Sequence, residues 1–159
     1  METISVHASR DYEVRIGSGL LTRTGELSAH LIKGRHAMIV SDSNVWPLYG
    51  AMVQASLEDA GFQVDHFVFP AGEQSKNTDT LVQLLTCLAQ MGMTRSDAVF
   101  ALGGGVTGDM AGLAASLYRR GIPCVQLPPS VLSVVDSSGG GKTAVDLPEG
   151  KNLVGTFTQ

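Results

Sequence analysis

The stretch that decides the fold is "DAVFALGGGVTGDMAGLAASLYRRG", residues 97–121. A short apolar run leads into three glycines and then into small helix-forming residues, which predicts a strand, a tight turn and a helix. The turn matches G-x-G-x-x-G through Gly103, Gly105 and Gly108. Glycines let a backbone approach a pyrophosphate, and the helix N-terminus supplies free N–H donors. We therefore favour a dinucleotide-binding loop over the simpler alternative, a tight turn between a strand and a helix.

One element of that motif is missing. An acidic residue is expected about 20 residues after the glycines to bind a ribose, but the region "VQLPPSV" contains no carboxylate. Asp109, which follows the glycines, could simply be a carboxylate that stabilises the start of a helix.

Strands alternate with helices along most of the chain, which predicts one domain with a Rossmann-like, doubly wound and mainly parallel α/β sheet. The predicted strands of this sheet are "HAMIVSD", "FQVDHFVFP", "DAVFALGGG" and "IPCVQLP". The predicted helices are "LLTRTGELSAHLI", interrupted by Gly25, then "VWPLYGAMVQASLEDAG", "NTDTLVQLLTCLAQMG", "VTGDMAGLAASLYRRG" and a short "SVLSVVDSS". An N-terminal strand pair, "TISVHA" and "YEVRIG", precedes them, and "KTAVDLPEGKNLVGTF" closes the chain as a C-terminal hairpin or loop.

Composition limits the possible partners. The net charge of −4 argues against a nucleic-acid binder. The sequence contains no run of 18 apolar residues, so it predicts no membrane span. Charged residues make up 16% of the chain, whereas about 25% is usual. Either the surface is neutral and polar, or another domain or subunit covers part of it. Cys87 and Cys124 lack metal spacing and are expected to be buried, reduced thiols, which favours a cytosolic location.

The carboxyl ends of the predicted strands should meet at one edge of the sheet, where ligands bind in this class of fold. The segments that follow those ends are "SDSN", "PAGEQSK", "GGGVTGD" and "PPS". Asp42 and Asn44 are typical helix-capping residues, with ribose binding as the alternative. Glu73 and Lys76 are expected to be solvated loop residues.

The stretch "SSGGGKT", residues 137–143, is close to the phosphate-binding loop of an NTPase. That loop needs a glycine at position 136, which holds Asp136, and it must open a helix. Here a turn around Pro148 follows instead, so we rank an NTPase last. If the segment forms a hairpin, Lys142 and Lys151 could converge on one anion. The alternative is an exposed basic hairpin.

Together, "PAGEQSK", "ALGGGVTGDMAGLAASLYRRGI" and "VVDSSGGGKTAVDLPEGKNLVGTF" resemble the 3-dehydroquinate synthase family over the whole chain. The resemblance implies an NAD-dependent lyase of the shikimate pathway, which leads to chorismate and the aromatic amino acids, with zinc or cobalt as its metal. Its substrate would be 3-deoxy-D-arabino-heptulosonate 7-phosphate, a sugar phosphate. NAD would oxidise a ring hydroxyl transiently, phosphate would be eliminated, and ring opening and aldol closure would follow reduction.

The resemblance also implies roles for individual residues. The expected cofactor-binding residues are Asp42, Asn44, Glu73, Lys76, Gly103, Gly104, Gly105, Val106, Thr107, Gly108, Asp109, Pro129, Ser130, Lys142 and Lys151. The expected substrate-binding residues are Asp136, Lys142 and Asn152. Three residues depart from the family pattern: Pro129 replaces a threonine, Gly139 a valine, and Asp146 the commoner asparagine.

Residues 1–159 would correspond to the family's N-terminal dinucleotide-binding domain alone. The family's helical C-terminal domain supplies one glutamate and two histidines to the metal, and none of His7, His30, His36 and His66 matches a ligand position. We therefore expect no complete catalytic set and no activity from this chain alone. Its expected partners are that C-terminal domain and a second copy in a homodimer. The alternatives are another sugar-phosphate cyclase, a metal-dependent polyol dehydrogenase, and a non-catalytic NAD-binding module.

Overall fold

The computed structural model describes residues 2–6, 12–16, 19–129 and 142–157. The strands are β1 (Glu2–Val6), β2 (Tyr12–Ile16), β3 (His36–Asp42), β4 (Gln63–Phe69), β5 (Ala98–Leu102), β6 (Cys124–Leu127), β7 (Lys142–Leu147) and β8 (Gly150–Phe157). The helices are α1 (Thr24–Ala29), α2 (Trp46–Asp59), α3 (Thr78–Gln90) and α4 (Gly105–Leu117). Short 3₁₀ turns span Leu20–Arg23, Glu73–Ser75 and Tyr118–Arg120.

The central sheet contains four parallel strands in the order β4-β3-β5-β6. The chain leaves β3 through α2 to reach β4 on one side, and returns through α3 to place β5 on the other side. The direction of strand addition therefore reverses between β3 and β5. Ligands of doubly wound sheets bind at the carboxyl side of such a reversal. The predicted doubly wound sheet is confirmed.

Helices cover both faces of this sheet because side chains alternate along each strand. On one face, Met38 and Val40 of β3 belong to a core cluster with residues of α3 and α4. On the other face, Ala37 and Ile39 belong to a cluster that includes Val53 and Leu57 of α2. Strands buried on both faces are expected to be continuously apolar, as β5 is: all five of its residues are buried.

The structure corrects the prediction for the first helix. Gly25 lies inside α1 and does not interrupt it. A Cβ at Gly25 would lie 1.9 Å from the carbonyl oxygen of Ser56 on α2. The Gly25 N–H also donates to Ser56 Oγ at 2.9 Å. This glycine is therefore required by the close packing of two helices.

Two antiparallel hairpins accompany the central sheet, as predicted. β1 pairs with β2, and β7 pairs with β8. β7 is held against the parallel-sheet unit: Val145 is fully buried in the cluster shared with α3 and α4. The Asp146 N–H donates to the carbonyl of Lys76 at 2.8 Å. The second hairpin is thus attached beside the segment that follows β4.

Every helix in the described part of the chain falls short of the length and hydropathy needed to cross a bilayer.

Candidate functional site

The segments that follow β3 and β4 are joined by direct hydrogen bonds. The Ser43 N–H donates to the carbonyl of Phe69 at 2.9 Å, and the Ala71 N–H donates to Ser43 Oγ at 2.9 Å. At the neighbouring end of the sheet, the Gly103 N–H donates to the carbonyl of Leu127 at 3.3 Å. The predicted assembly of strand ends at one edge is confirmed for these segments.

The glycine segment forms the turn from β5 into α4. Gly104 is the N-cap residue, and its carbonyl accepts from the Gly108 N–H at 2.9 Å. No acidic residue lies in the first turn of α4, so the alternative in which Asp109 stabilises the start of this helix is wrong. The free N–H groups and partial positive charge of this helix end are therefore not offset by a carboxylate within its own first turn, as an anion site requires.

Two of the glycines lie close to neighbouring side chains. A Cβ at Gly103 would lie 2.6 Å from Thr107 Oγ1, and a Cβ at Gly108 would lie 2.8 Å from Gln126 Oε1. The Gln126 amide also donates to the Gly108 carbonyl over a long 3.4 Å. The turn is thus closely packed against the Thr107 side chain and against Gln126 of β6. Such a narrow, side-chain-free turn fits a pyrophosphate group, because backbone donors can approach it directly.

The Lys76 side chain is 5% exposed, so its interpretation as a solvated loop residue is wrong. Its Nζ lies 2.8 Å from Oδ2 of Asp109, whose side chain is 26% exposed. Asp109 is thus more than a carboxylate near a helix start, because it forms an ion pair with the segment after β4. The pair joins two of the segments predicted to hold the cofactor.

The N-cap residue of α2 is Val45, without a side-chain capping bond, so the predicted capping of this helix by Asp42 is not found, and Asp42 instead bonds the turn before it. Its Oδ1 accepts the N–H groups of Asn44 and Val45, both at 2.8 Å, just before α2 begins. Both bonds use Oδ1, so Oδ2 takes no part in this turn. Asn44 itself is exposed. The geometry therefore fixes the Asp42 carboxylate at the carboxyl end of β3, beside the reversal of strand order.

Glu73 is exposed and lines an open groove of about 430 Å³ with residues of the loop after β4 and of the second hairpin. The other lining residues are Gln74, Lys76, Asn77, Thr78, Asp79, Asp146, Leu147 and Pro148. The carboxylates of Glu73, Asp79 and Asp146 line this groove together with Lys76, so it is polar, and it lies between the site edge and the hairpin.

The hairpin does not bring its two lysines together in register. Lys142 pairs with Phe157 at the open end, whereas Gly150, next to Lys151, pairs with Leu147 at the turn. Lys142 and Leu147 are five residue steps apart along β7, which is roughly 17 Å. The expectation that hairpin formation alone makes Lys142 and Lys151 converge is therefore wrong. A phosphate-binding loop must be followed by a helix, but β7 is a strand. This agrees with the decision to rank the NTPase interpretation last.

Several predicted residues cannot be placed. Ser130, Asp136, Gly139 and the predicted helix "SVLSVVDSS" lie outside the described residues. Pro129 follows β6 and is half-buried. Asn152 is placed by its backbone, in β8.

Two supporting residues were not singled out from the sequence. Ser41 is buried in β3, and its hydroxyl donates to the Leu102 carbonyl at 2.7 Å, across the reversal between β3 and β5. The sequence could have indicated Ser41, because a hydroxyl within an apolar strand needs a hydrogen-bond partner. Gln126 gave no such signal, since its contact with Gly108 depends on how α4 lies over β6.

Among the described residues, no group of three or more His, Cys, Asp and Glu side chains could hold a metal ion.

Among family models, "3-dehydroquinate synthase N-terminal" matches residues 66–159. A curated 3-dehydroquinate synthase from Xanthomonas oryzae pv. oryzae (strain PXO99A) is 51% identical over 157 residues, which is 98% of this chain and 42% of that protein. One from Latilactobacillus sakei subsp. sakei (strain 23K) is 48% identical over 100% of this chain and 45% of its own length. The chain thus spans less than half the length of these relatives.

Solved structures share the fold. A 2-deoxy-scyllo-inosose synthase complexed with carbaglucose-6-phosphate, NAD⁺ and Co²⁺ has a TM-score of 0.89 and 29% identity, over 99% of this chain and 42% of that one. ValA, a 2-epi-5-epi-valiolone synthase from Streptomyces hygroscopicus subsp. jinggangensis 5008 with NAD⁺ and Zn²⁺ bound, has a TM-score of 0.82 and 32% identity, over 98% and 42%. A glycerol dehydrogenase from Schizosaccharomyces pombe matches at a TM-score of 0.66 with 20% identity, over 86% and 32%, which shows the fold alone.

Proposed function

Because this chain belongs to the 3-dehydroquinate synthase family, we propose that it is the dinucleotide-binding half of such an enzyme. The reaction converts 3-deoxy-D-arabino-heptulosonate 7-phosphate into 3-dehydroquinate and phosphate, with NAD as the catalytic cofactor. The second half would be the helical metal-binding domain, which carries the ligands for zinc or cobalt. The chain alone would hold NAD without turnover.

The observation that carries this proposal is the position of the glycine turn. It lies at the carboxyl end of β5, at the reversal between β3 and β5, and it opens a helix with no acid in its first turn. That combination of a side-chain-free turn and a positive helix end suits a pyrophosphate. The relatives solved with NAD⁺ support NAD as the dinucleotide.

Different residues of this edge would bind different parts of the cofactor. Asp42 would meet the adenosine ribose through Oδ2, because Oδ1 already accepts two N–H groups, and Asn44 would add a contact there. Residues 103–108 would hold the pyrophosphate. Asp109, fixed by Lys76, would belong to the same pyrophosphate cradle, and Glu73 and Lys76 would line the nucleotide site. Pro129, Ser130, Lys142 and Lys151 would complete the pocket.

On the substrate side, Asp136, Lys142 and Asn152 would bind the sugar phosphate. When bound, NAD supplies reversible hydride acceptance, which acidifies the C–H bond beside the oxidised carbon and makes phosphate a leaving group. Lys142 carries a positive charge that would attract the phosphate. The hairpin that carries Lys142 and Asn152 is fixed against the dinucleotide unit by Val145 and Asp146, which would hold both ligands near one another.

The comparisons favour this synthase over other sugar-phosphate cyclases. Identity reaches 51% with a 3-dehydroquinate synthase, against 29% and 32% with the two cyclases of other specificity. The polyol-dehydrogenase alternative has support at the level of the fold alone.

The first test is calorimetric titration of the chain with NAD, with ATP as the control ligand. We expect saturable NAD binding and no ATP binding. Gly105→Glu places a carboxylate in the first turn of α4 and should abolish NAD binding through repulsion of the pyrophosphate. Gln83→Glu makes the same charge change at an exposed position of α3 and should leave binding unchanged. Binding of ATP in place of NAD would contradict the proposal.

A chimera tests the reaction itself. In it, this chain replaces the matching 42% of the Xanthomonas oryzae relative, and phosphate release from the heptulosonate phosphate is measured. We expect release from the chimera and none from the chain alone. A chimera that folds and binds NAD but releases no phosphate would support a non-catalytic NAD-binding module. Light scattering of the same chimera tests the homodimer that we propose for the complete enzyme, and we place that enzyme in the cytoplasm.

A further inference from the structure

Thr107, in the first turn of α4, has an unusual hydroxyl. The residue is 0% exposed, and Oγ1 has no hydrogen-bond partner among the described residues. Two other buried hydroxyls are satisfied: Thr24 donates to the Leu21 carbonyl at 2.8 Å, and Ser41 donates to that of Leu102. A buried donor without a partner destabilises a protein, and each such group in a native structure calls for an explanation.

The location of this hydroxyl points to the glycine turn. Oγ1 lies 2.6 Å from the place that a Cβ of Gly103 would occupy. Gly103 is four residues earlier, and threonine hydroxyls in helices often donate to the carbonyl four residues back. That bond is not made in this structure. Because glycines occupy positions 103–105, the peptide between Gly103 and Gly104 can adopt backbone conformations that other residues rarely adopt.

We propose that the Thr107 hydroxyl is a positioning group that gains its hydrogen bond, to the Gly103 carbonyl, only when a phosphate occupies the N-terminus of α4. In a trans peptide the C=O and N–H point in opposite directions. When the Gly103 carbonyl turns inward to accept from Thr107, the Gly104 N–H turns outward toward the phosphate. The inference rests on the proposed function, because it needs a ligand that carries phosphate.

The first arm of the test measures thermal unfolding without ligand. Thr107→Val removes a hydroxyl that has no partner, so its melting temperature should equal or exceed that of the wild-type chain. Thr24→Val is the matched control: Thr24 is also buried, but its hydroxyl is bonded, so the melting temperature should fall. A fall of several degrees in Thr107→Val would overturn the inference, since the hydroxyl would then already have a partner.

The second arm measures binding of NAD and of inorganic pyrophosphate. Thr107→Val should bind both about fivefold to tenfold more weakly, the worth of one hydrogen bond. Thr107→Ser retains the hydroxyl and should stay within about twofold of wild type. Equal binding by wild type and Thr107→Val would overturn this inference and leave the proposed function standing. Failure of the wild-type chain to bind either ligand would overturn both.

Discussion

The Nζ of Lys76 lies 2.8 Å from Oδ2 of Asp109, which joins the segment after β4 to the helix after β5. These strands are not neighbours, because β3 lies between them. The segment after β4 must therefore cross the carboxyl end of β3, and the bonds of Ser43 to Phe69 and Ala71 hold it there. The Lys76 carbonyl also accepts from Asp146. One residue thus contacts both the dinucleotide segment and the second hairpin.

Removal of one member of this ion pair should destabilise the chain. Breaking a fully buried pair costs about 3–5 kcal/mol. Because Asp109 is 26% exposed, we expect a smaller loss of about 1–3 kcal/mol for Lys76→Met or Asp109→Asn. The double variant should lose less than the sum of the two, measured by urea unfolding.

The exposed pair of Arg23 and Glu26 is the control for that cycle. Its atoms lie 3.1 Å apart, but the side chains are 42% and 64% exposed. Solvent screens such a pair, so Glu26→Gln should leave the midpoint of urea unfolding essentially unchanged. Equal losses of stability from Glu26→Gln and Lys76→Met would show that the buried pair contributes no more to stability than the exposed pair.

Gly25 and Gly108 should respond differently to alanine. At Gly25 the new Cβ would meet the Ser56 backbone carbonyl, which cannot move without displacing α2. We expect Gly25→Ala to lower the free energy of unfolding by about 2–4 kcal/mol. At Gly108 the clash is with the end of the flexible Gln126 side chain, which can move away, and alanine favours a helix. Gly108→Ala should therefore destabilise the chain less than Gly25→Ala. Chemical denaturation of both variants decides this, and equal destabilisation would count against the packing of α1 on α2.

Val145 should hold the second hairpin in place. It is fully buried between α3 and α4, whereas Val68 of β4 is 37% exposed. Val145→Ala should lower stability by about 1–2.5 kcal/mol and speed amide hydrogen exchange at Asp146, whose N–H is bonded to Lys76. Val68→Ala is the matched control and should do neither. Unchanged exchange at Asp146 would mean that Val145 does not fix the hairpin.

Cys124 should make stability fall at alkaline pH. Both cysteines are free thiols, as expected, but they are half-buried where the sequence predicted buried thiols. Burial raises the pKa of the Cys124 thiol to about 12, and the hydrogen bond from Gln126 offsets this slightly. In the unfolded chain a thiol titrates near about 8.5. Between these values the folded chain retains a proton that the unfolded chain releases, so stability falls as pH rises.

The slope of that fall is at most about 1.4 kcal/mol per pH unit. Cys124→Ala should therefore flatten the unfolding free energy between about pH 9 and 11, measured against the wild-type chain at each pH. Burial also raises the pKa of the Cys87 thiol, with Asp65 adding to the effect. Parallel pH profiles of wild type and Cys124→Ala would refute the assignment to Cys124.

The local elements could be read from the sequence because their signals are local. The strand–turn–helix at residues 97–121 follows from apolar runs and glycines, and Asn77 caps α3 through Thr80 as its residue type suggests. Asp42 was expected as a capping residue on the same ground, but its carboxylate bonds the turn before α2, whose N-cap residue is Val45. The four-strand unit and the edge that collects its loops follow from the alternation of strands and helices.

Contacts between distant segments could not be read in the same way. Lys76 looked like a solvated loop residue because nothing near it in the chain shows that it meets Asp109. The lysines of the hairpin appeared able to converge until the register placed Lys142 opposite Phe157. Gly25 looked like a helix breaker, but its meaning depends on Ser56, 31 residues away.

The order of residues was sufficient for the class of fold, the family and the glycine turn, since periodicity, turn chemistry and motif spacing act over a few residues. The tertiary structure alone decided which charges pair, which hydroxyl lacks a partner, and which strand end faces which loop. The reason is physical: burial, desolvation and close packing depend on every segment that surrounds a group. For Lys76, Asp109 and Thr107 those segments come from β4, β5 and the helices that cover the sheet.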